Sequence, residues 1–233
     1  MSIKLESGMI LQNITNIWQR INDAEQEFQR TSGSVDLLVV SKTRTVEEIN
    51  TALLAGAHHF GENYVQEALP KIKALSGEDI EWHFIGKIQS NKTQLIAENF
   101  SWVHTVENLH TAGRLSMQRS EDSPPLNVCI QVNISDESSK SGTTVNALSD
   151  LAGEVARLPN INLRGLMVIP EISHDFSAQR AIFHSALQVY QKLVREGLHL
   201  DTLSMGMSGD FEAAIAEGST IVRLGTAIFG PRI

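Results

Sequence analysis

The stretch VDLLVVSKT, Val35 to Thr43, sets one lysine directly behind an almost unbroken apolar run. Leu37, Leu38, Val39 and Val40 have the character of a strand buried on both faces, and Lys42 stands where that strand ends. A lysine amine is protonated in water and is then no nucleophile. Near apolar walls or a second cation its pKa falls, and the free amine attacks carbonyls to form Schiff bases. An exposed lysine whose stem reaches water fits the same stretch. Two segments near the C-terminus favour chemistry. SMGMSGDFEAA and RLGTAIFG each leave a strand-like run through glycine and a hydroxyl residue: Gly206, Ser208 and Gly209, then Gly225 and Thr226. Turns of this kind let backbone N–H groups approach an anion, above all where a helix begins. Ser208 as a simple N-cap explains the first turn but not the second beside it. Arg223, in IVRLG, occupies a strand interior, where a charge is costly unless paired. It can point inward to a ligand or outward to a structural carboxylate, and the sequence alone leaves both open.

These residues need a scaffold that brings distant segments together. Ile10, Leu11, Ile14, Ile17, Trp18, Ile21 and Phe28 recur at helical spacing and predict an N-terminal helix within residues 1–31. Beyond it, strand-like runs alternate with amphipathic stretches: DLLVVS, HHFGE, EWHFIG, SWVHTV, NVCIQVNI, NLRGLMVI, DTLSMG and TIVRLG. Helices are expected to begin near Thr45, Asn63, Gln89, Glu107, Thr143, Asp175 and Gly209. Alternation of this kind implies parallel pairing, and eight units close into a (β/α)8 TIM barrel. A doubly wound open sheet fits less well, since no GxGxxG turn follows the first strand. The expectation is a single α/β domain over residues 1–233, with the barrel at 35–230. In such barrels active groups sit at the C-terminal strand ends, and phosphate sites often lie after strands 7 and 8.

A Schiff-base lysine, a phosphate cradle and an inward arginine would all address one molecule, pyridoxal 5′-phosphate (PLP). The motifs VVSKT, HFGENYVQE, WHFIGKIQSNK, NISDESSKSG, GLMVIP, LSMGMSGDFEAAI and VRLGTAIFG stand in order from about Leu37 to Gly230. Together they closely resemble the pyridoxal phosphate homeostasis protein family. The resemblance implies a barrel of the alanine racemase N-terminal type, with PLP on Lys42 and Arg223 at the pyridine nitrogen. It implies that Ser208, Gly225 and Thr226 hold the phosphate, and that Asn63 and His83 line the pocket. A permanently charged donor at the ring nitrogen disfavours its protonation and weakens PLP as an electron sink. The chain is therefore expected to hold PLP or hand it on, to PLP-dependent apoenzymes for example, with little catalysis. Racemases also use a second acid/base from an added β-domain, for which this length leaves no room. An amino-acid racemase, and an aldolase using Lys42 without PLP, are the competing readings. Lys140, in DESSKSG, is a further candidate amine, with weaker claims for Lys87 and Lys92.

The bulk numbers set limits. With 42% hydrophobic and 20% charged residues in 233, the chain has the composition of a soluble globular protein, with no apolar run able to span a bilayer. A net charge of -8 argues against nucleic-acid binding, which needs a basic face, but allows a small anion held by local donors. The single cysteine, Cys129, reads as a small buried hydrophobe and fits a reducing compartment. The N-terminus lacks a signal-peptide pattern, so a cytoplasmic location is expected; the family resemblance implies a monomer. No histidine pair stands at metal-ligand spacing along the sequence, and no metal is expected.

Overall fold

The computed structural model describes residues 2–135 and 141–231. Eight parallel strands form the barrel: β1 (Asp36–Val40), β2 (His59–Glu62), β3 (Glu81–Phe84), β4 (Trp102–Val106), β5 (Leu126–Asn133), β7 (Ile161–Val168), β8 (Thr202–Ser204) and β9 (Ile221–Leu224). The short β6 (Thr143–Thr144) adds on outside them, against the end of β5. The order β4-β3-β2-β1-β9-β8-β7-β5 closes on itself through pairing of β4 with β5. The eight strands read from the sequence are the eight of the barrel. Thr143 is a difference: it was expected to open a helix, but pairs in register with Val132 and delays the helix by two residues. Two consecutive β-branched residues favour that extended step, and Thr144 then caps α6 (Val145–Val155) through its side chain.

The outer faces of the strands pack on the helices. Leu37 and Val39 of β1 join a single large core with Ile49 and Ala52 of α2 (Val46–Leu54) and Ile96 and Ala97 of α4 (Thr93–Asn99). The N-terminal helix α1 (Ser2–Glu27) enters the same core through Ile10, Ile14, Ile17 and Ile21, all at most 5% exposed. Each such side chain contributes about 1.5–3 kcal/mol by leaving water, which makes α1 part of the scaffold. Helix starts are set locally; Thr45 and Glu48 form a reciprocal capping box, and Asp175 caps α7 (Phe176–Arg195). The inner face differs from the branched aliphatic filling usual in such barrels. Trp102, Cys129 and Met167 form a small separate apolar cluster, and much of the remaining interior is polar. The burial expected of Cys129 is observed, and it pushes the thiol up to about 12.

One backbone irregularity shapes the wall. The register of β5 on β7 runs Val128 with Leu163, then Cys129 with Gly165, so Arg164 is the extra residue of a bulge. Gly165 next lies so close to β8 that an added Cβ would stand 1.7 Å from the Thr202 carbonyl oxygen. No rotamer relieves a backbone clash. Gly165→Ala is expected to destabilise the protein by at least the roughly 3 kcal/mol at the upper end of overpacking costs. A urea titration followed by circular dichroism measures it; an unchanged midpoint would show that β7 and β8 can part.

Candidate functional site

Lys42 sits in the turn directly after β1, partly buried. Its position is fixed by its neighbours. The buried Ser41 donates from Oγ to Glu62 Oε1 at 2.7 Å, and its carbonyl accepts from Lys71 Nζ at 2.8 Å. Lys71 Nζ also donates to Glu62 Oε1 at 2.7 Å, which closes a triangle under the turn. On the other side Thr43 adopts φ 64°, a left-handed conformation that a β-branched residue enters only at a cost of about 1–3 kcal/mol. Its N–H donates to Glu67 Oε2 at 3.2 Å. A strained residue held in place beside the one lysine at this strand end is the kind of outlier that marks a functional position.

The cavity that Lys42 faces lies at the C-terminal end of the barrel and measures about 400 Å³, within the ~300–1,000 Å³ usual for small-molecule sites. Asn63, Ser208, Arg223, Gly225 and Thr226 line it with Lys42. Asn63 follows β2, and its placement depends on Gly86, where a Cβ would meet the Asn63 carbonyl oxygen at 1.9 Å. Ser208, after β8, accepts from the N–H of Ala227 at 3.3 Å, in the first turn of α9 (Thr226–Phe229). That contact joins the two glycine-hydroxyl turns read separately in the sequence. Ile85, Ile169, Ile172 and Met207 supply apolar wall. Lys42, Arg44 and Arg223 outnumber Asp210 in the lining, so the cavity is locally cationic in a chain of charge -8.

Arg223 resolves the inward-or-outward question: it points inward, 5% exposed. Nη1 donates to Ser204 Oγ at 2.8 Å and Nη2 to the Val168 carbonyl at 2.9 Å. Burial pushes its pKa down to about 10, with Asp210 acting against that, so it stays charged at neutral pH. Neutral acceptors hold two of its nitrogens, and a guanidinium has five donors, so N–H groups remain for an acceptor in the cavity.

His83, placed in the pocket lining by resemblance, does not reach the cavity. It lies a layer deeper, 1% exposed, stacked on Trp102 with centroids 5.3 Å apart. It connects to the cavity through a hydrogen-bonded chain. His83 Nδ1 meets His104 Nε2 at 2.9 Å, His104 Nδ1 meets Ser204 Oγ at 2.9 Å, and Ser204 accepts from Arg223. Burial lowers both imidazoles, His83 to about 4 and His104 well below its ordinary value. Of the lesser lysines, Lys87 borders a neighbouring cavity of about 340 Å³ that shares Asn63, Ile85 and Ile169 with the first. Lys92 lies in the 3-10 turn Ser90–Lys92 and lines neither. Lys140 lies outside the described residues. The sequence reading missed Ser204 and His104, which alternate with outward-facing neighbours on β8 and β4; that period of two was the available signal.

A closed parallel barrel with a lysine at the first strand end and paired glycine-hydroxyl turns after the last two strands is a barrel of known type. The family of the alanine racemase N-terminal domain matches residues 14–232. The pyridoxal phosphate homeostasis protein of Vibrio cholerae is 53% identical over 227 residues, 96% of each chain. Among solved structures, PipY of Synechococcus elongatus with PLP bound superposes with a TM-score of 0.80 at 35% identity, covering 90% of this chain and all of that one. Alanine racemase from Corynebacterium glutamicum, at 16% identity and a TM-score of 0.69, shares the fold; the match covers 95% of this chain and 62% of the racemase. The chain belongs to the pyridoxal phosphate homeostasis protein family, within the wider alanine racemase N-terminal domain family.

The triangle beneath Lys42 has a pH signature. Burial raises the Glu62 pKa, while the hydrogen bonds from Lys71 and Ser41 and the Lys71 charge pull it back. Lys71→Met removes most of that restraint, so the folded-state value climbs further above the unfolded one. A carboxyl so raised binds its proton more tightly when folded; the stability this gives is present at low pH and lost as pH rises through the folded value. Lys71→Met is expected to cost about 3 kcal/mol at neutral pH. The deficit against the unsubstituted protein should shrink as pH is lowered from about 8 to about 5, read from urea midpoints. A deficit independent of pH would remove Glu62 as its cause.

Proposed function

We propose that this protein binds PLP in the cavity at the C-terminal end of the barrel and takes part in intracellular PLP, or vitamin B6, homeostasis. The observation that carries the reading is convergence: an amine, an anion cradle and a buried arginine donor from β1, β8 and β9 line one cavity. Family membership and the PLP-bound PipY structure support the same ligand. The residues fit the group. Asn63 Oδ1 is buried there with no hydrogen-bond partner, a polar atom that costs free energy until something supplies a donor or a water reaches it. When bound, PLP supplies an aldehyde that a lysine amine captures reversibly. In this assignment Lys42 holds the aldehyde carbon, and Ser208, Gly225 and Thr226 hold the phosphate. Arg223 donates to the pyridine nitrogen, Asn63 flanks the ring, and His83 acts only through His104 and Ser204.

The Arg223 donor favours holding the cofactor over turning over amino acids, because it keeps a proton off the ring nitrogen. PLP-dependent apoenzymes are the proposed recipients, and the protein is read as a cytoplasmic monomer. No helix among the described residues is long and apolar enough to cross a membrane.

Borohydride treatment of the PLP-loaded protein should fix the cofactor on the peptide carrying Lys42, and Lys42→Ala should lose the yellow colour. Ser208→Ala removes one hydrogen bond to a charged group, about 1.5–3 kcal/mol, and should weaken PLP binding roughly 10- to 100-fold. Incubation with L- and D-amino acids should yield no racemised or deaminated product. Robust turnover abolished by Lys42→Ala would overturn the holding role, and label on another lysine would overturn the assignment of Lys42.

A further inference from the structure

The opposite end of the barrel carries a second cluster of ligating groups, outside the proposed cofactor cavity. His59 and Glu81 are the first residues of β2 and β3 and lie side by side in the parallel register. His83, two residues further along β3, projects to the same face, as the period of a strand requires. His59 Nδ1 stands 3.0 Å from Glu81 Oε2, His83 Nε2 stands 3.5 Å from that oxygen, and the two nitrogens are 3.3 Å apart. All three atoms meet on one small triangle.

An ionised carboxylate only accepts, and each ring nitrogen offers either one N–H or one lone pair. Two N–H groups aimed at Oε2 satisfy the cluster when the nitrogens are protonated; with both deprotonated, the same three atoms turn lone pairs to one point, and the size of the cation they would hold can be read from the edges. A tetrahedron whose corners lie about 2.0–2.1 Å from its centre, as zinc with nitrogen and oxygen ligands requires, has edges of about 3.3–3.4 Å. The three observed edges scatter around that value.

We propose that His59, Glu81 and His83 bind a divalent transition-metal cation, zinc by preference, at the N-terminal end of the barrel, with water in the fourth position. Two histidines and a carboxylate form a donor set suited to zinc, and three protein ligands with one open position describe a site reachable from solvent. The access exists: the His59 and Glu81 side chains are 33% and 37% exposed, whereas His83 is sealed beneath them at 2%. A ligating histidine is held by what its other nitrogen does. His83 presents its Nε2 lone pair to the metal when Nδ1 carries the proton, and His104 Nε2 stands 2.9 Å away to accept it. Asp36 and Asp79 add negative charge near His59. Arg164, a cation on the same side, is taken up by Asp201 at 2.7–3.0 Å. No sequence motif announces the site, because its residues are joined by strand register and not by spacing.

The test is a titration of the full chain, stripped with a chelator, with zinc against a chromophoric competitor, and with cobalt followed by visible absorption. One zinc per chain and the intense bands of tetrahedral cobalt are expected. His59→Asn and Glu81→Gln, both at the exposed rim and checked for fold by circular dichroism, should each weaken binding. The loss should exceed the roughly 10- to 100-fold that follows removal of an outer-shell partner, and His104→Gln should fall within that range. No stoichiometric uptake by the unsubstituted chain, or uptake that both rim variants retain, would overturn the proposal.

Discussion

A guanidinium buried in the barrel wall and held by neutral acceptors is the constraint from which most of the interior follows. Arg223 gives up water on a strand that also supplies core residues on either side, Val222 and Leu224. A buried cation is tolerable only where its donors find acceptors. Ser204 on β8 and the Val168 carbonyl at the end of β7 meet that demand. Ser204 in turn needs a partner, found in His104 across the lumen on β4, and His104 needs His83. A single inward charge thus propagates as a line of polar residues through a space that barrels of this type fill with branched aliphatic side chains. The apolar remainder of the lumen includes the small cluster of Trp102, Cys129 and Met167.

At the other side of the cavity the same economy operates with opposite signs. Lys71 and Glu62 form a buried pair whose function, on this geometry, is positional: both grip Ser41, the residue before Lys42. Such a pair contributes little net stability, since desolvation offsets attraction. It does fix the direction in which β1 ends, one turn before the left-handed Thr43. Lys42 and Arg223 are therefore presented by rigid elements, whose partners lie behind the cavity wall and leave the mouth to a ligand.

Much of this frame was legible in the sequence, because parallel barrel strands are short apolar runs flanked by glycine and polar residues, and all eight stood out. Lys42 and the two glycine-hydroxyl turns were legible for the same reason: each interrupts such a run at its C-terminal end. The direction of Arg223 was not, since alternation separates it from Val222 and Leu224 without saying which face is the lumen. His83 was found only through resemblance, and at the wrong depth. The triangle of His59, Glu81 and His83 was invisible because strand pairing joins residues more than twenty positions apart, where spacing rules do not reach. The helix expected near Thr143 begins at Val145, because the edge of β5 holds Thr143 and Thr144 extended.

The polarity of the interior bears on what the proposed cofactor can do. An arginine whose outer nitrogens are already committed to Ser204 and Val168 cannot swing away from the cavity without leaving a buried acceptor unmet, a loss of about 1–3 kcal/mol. It remains a donor in a fixed place. A ring nitrogen set against it, as proposed, would keep its lone pair, so electron demand on the bound aldehyde would stay modest. Carbanion chemistry is then disfavoured, while reversible capture by an amine needs only the lysine and its approach. In the proposed assignment, the same hydrogen-bonded line that steadies the arginine would separate holding the cofactor from using it, with Ser204 as a positioning residue.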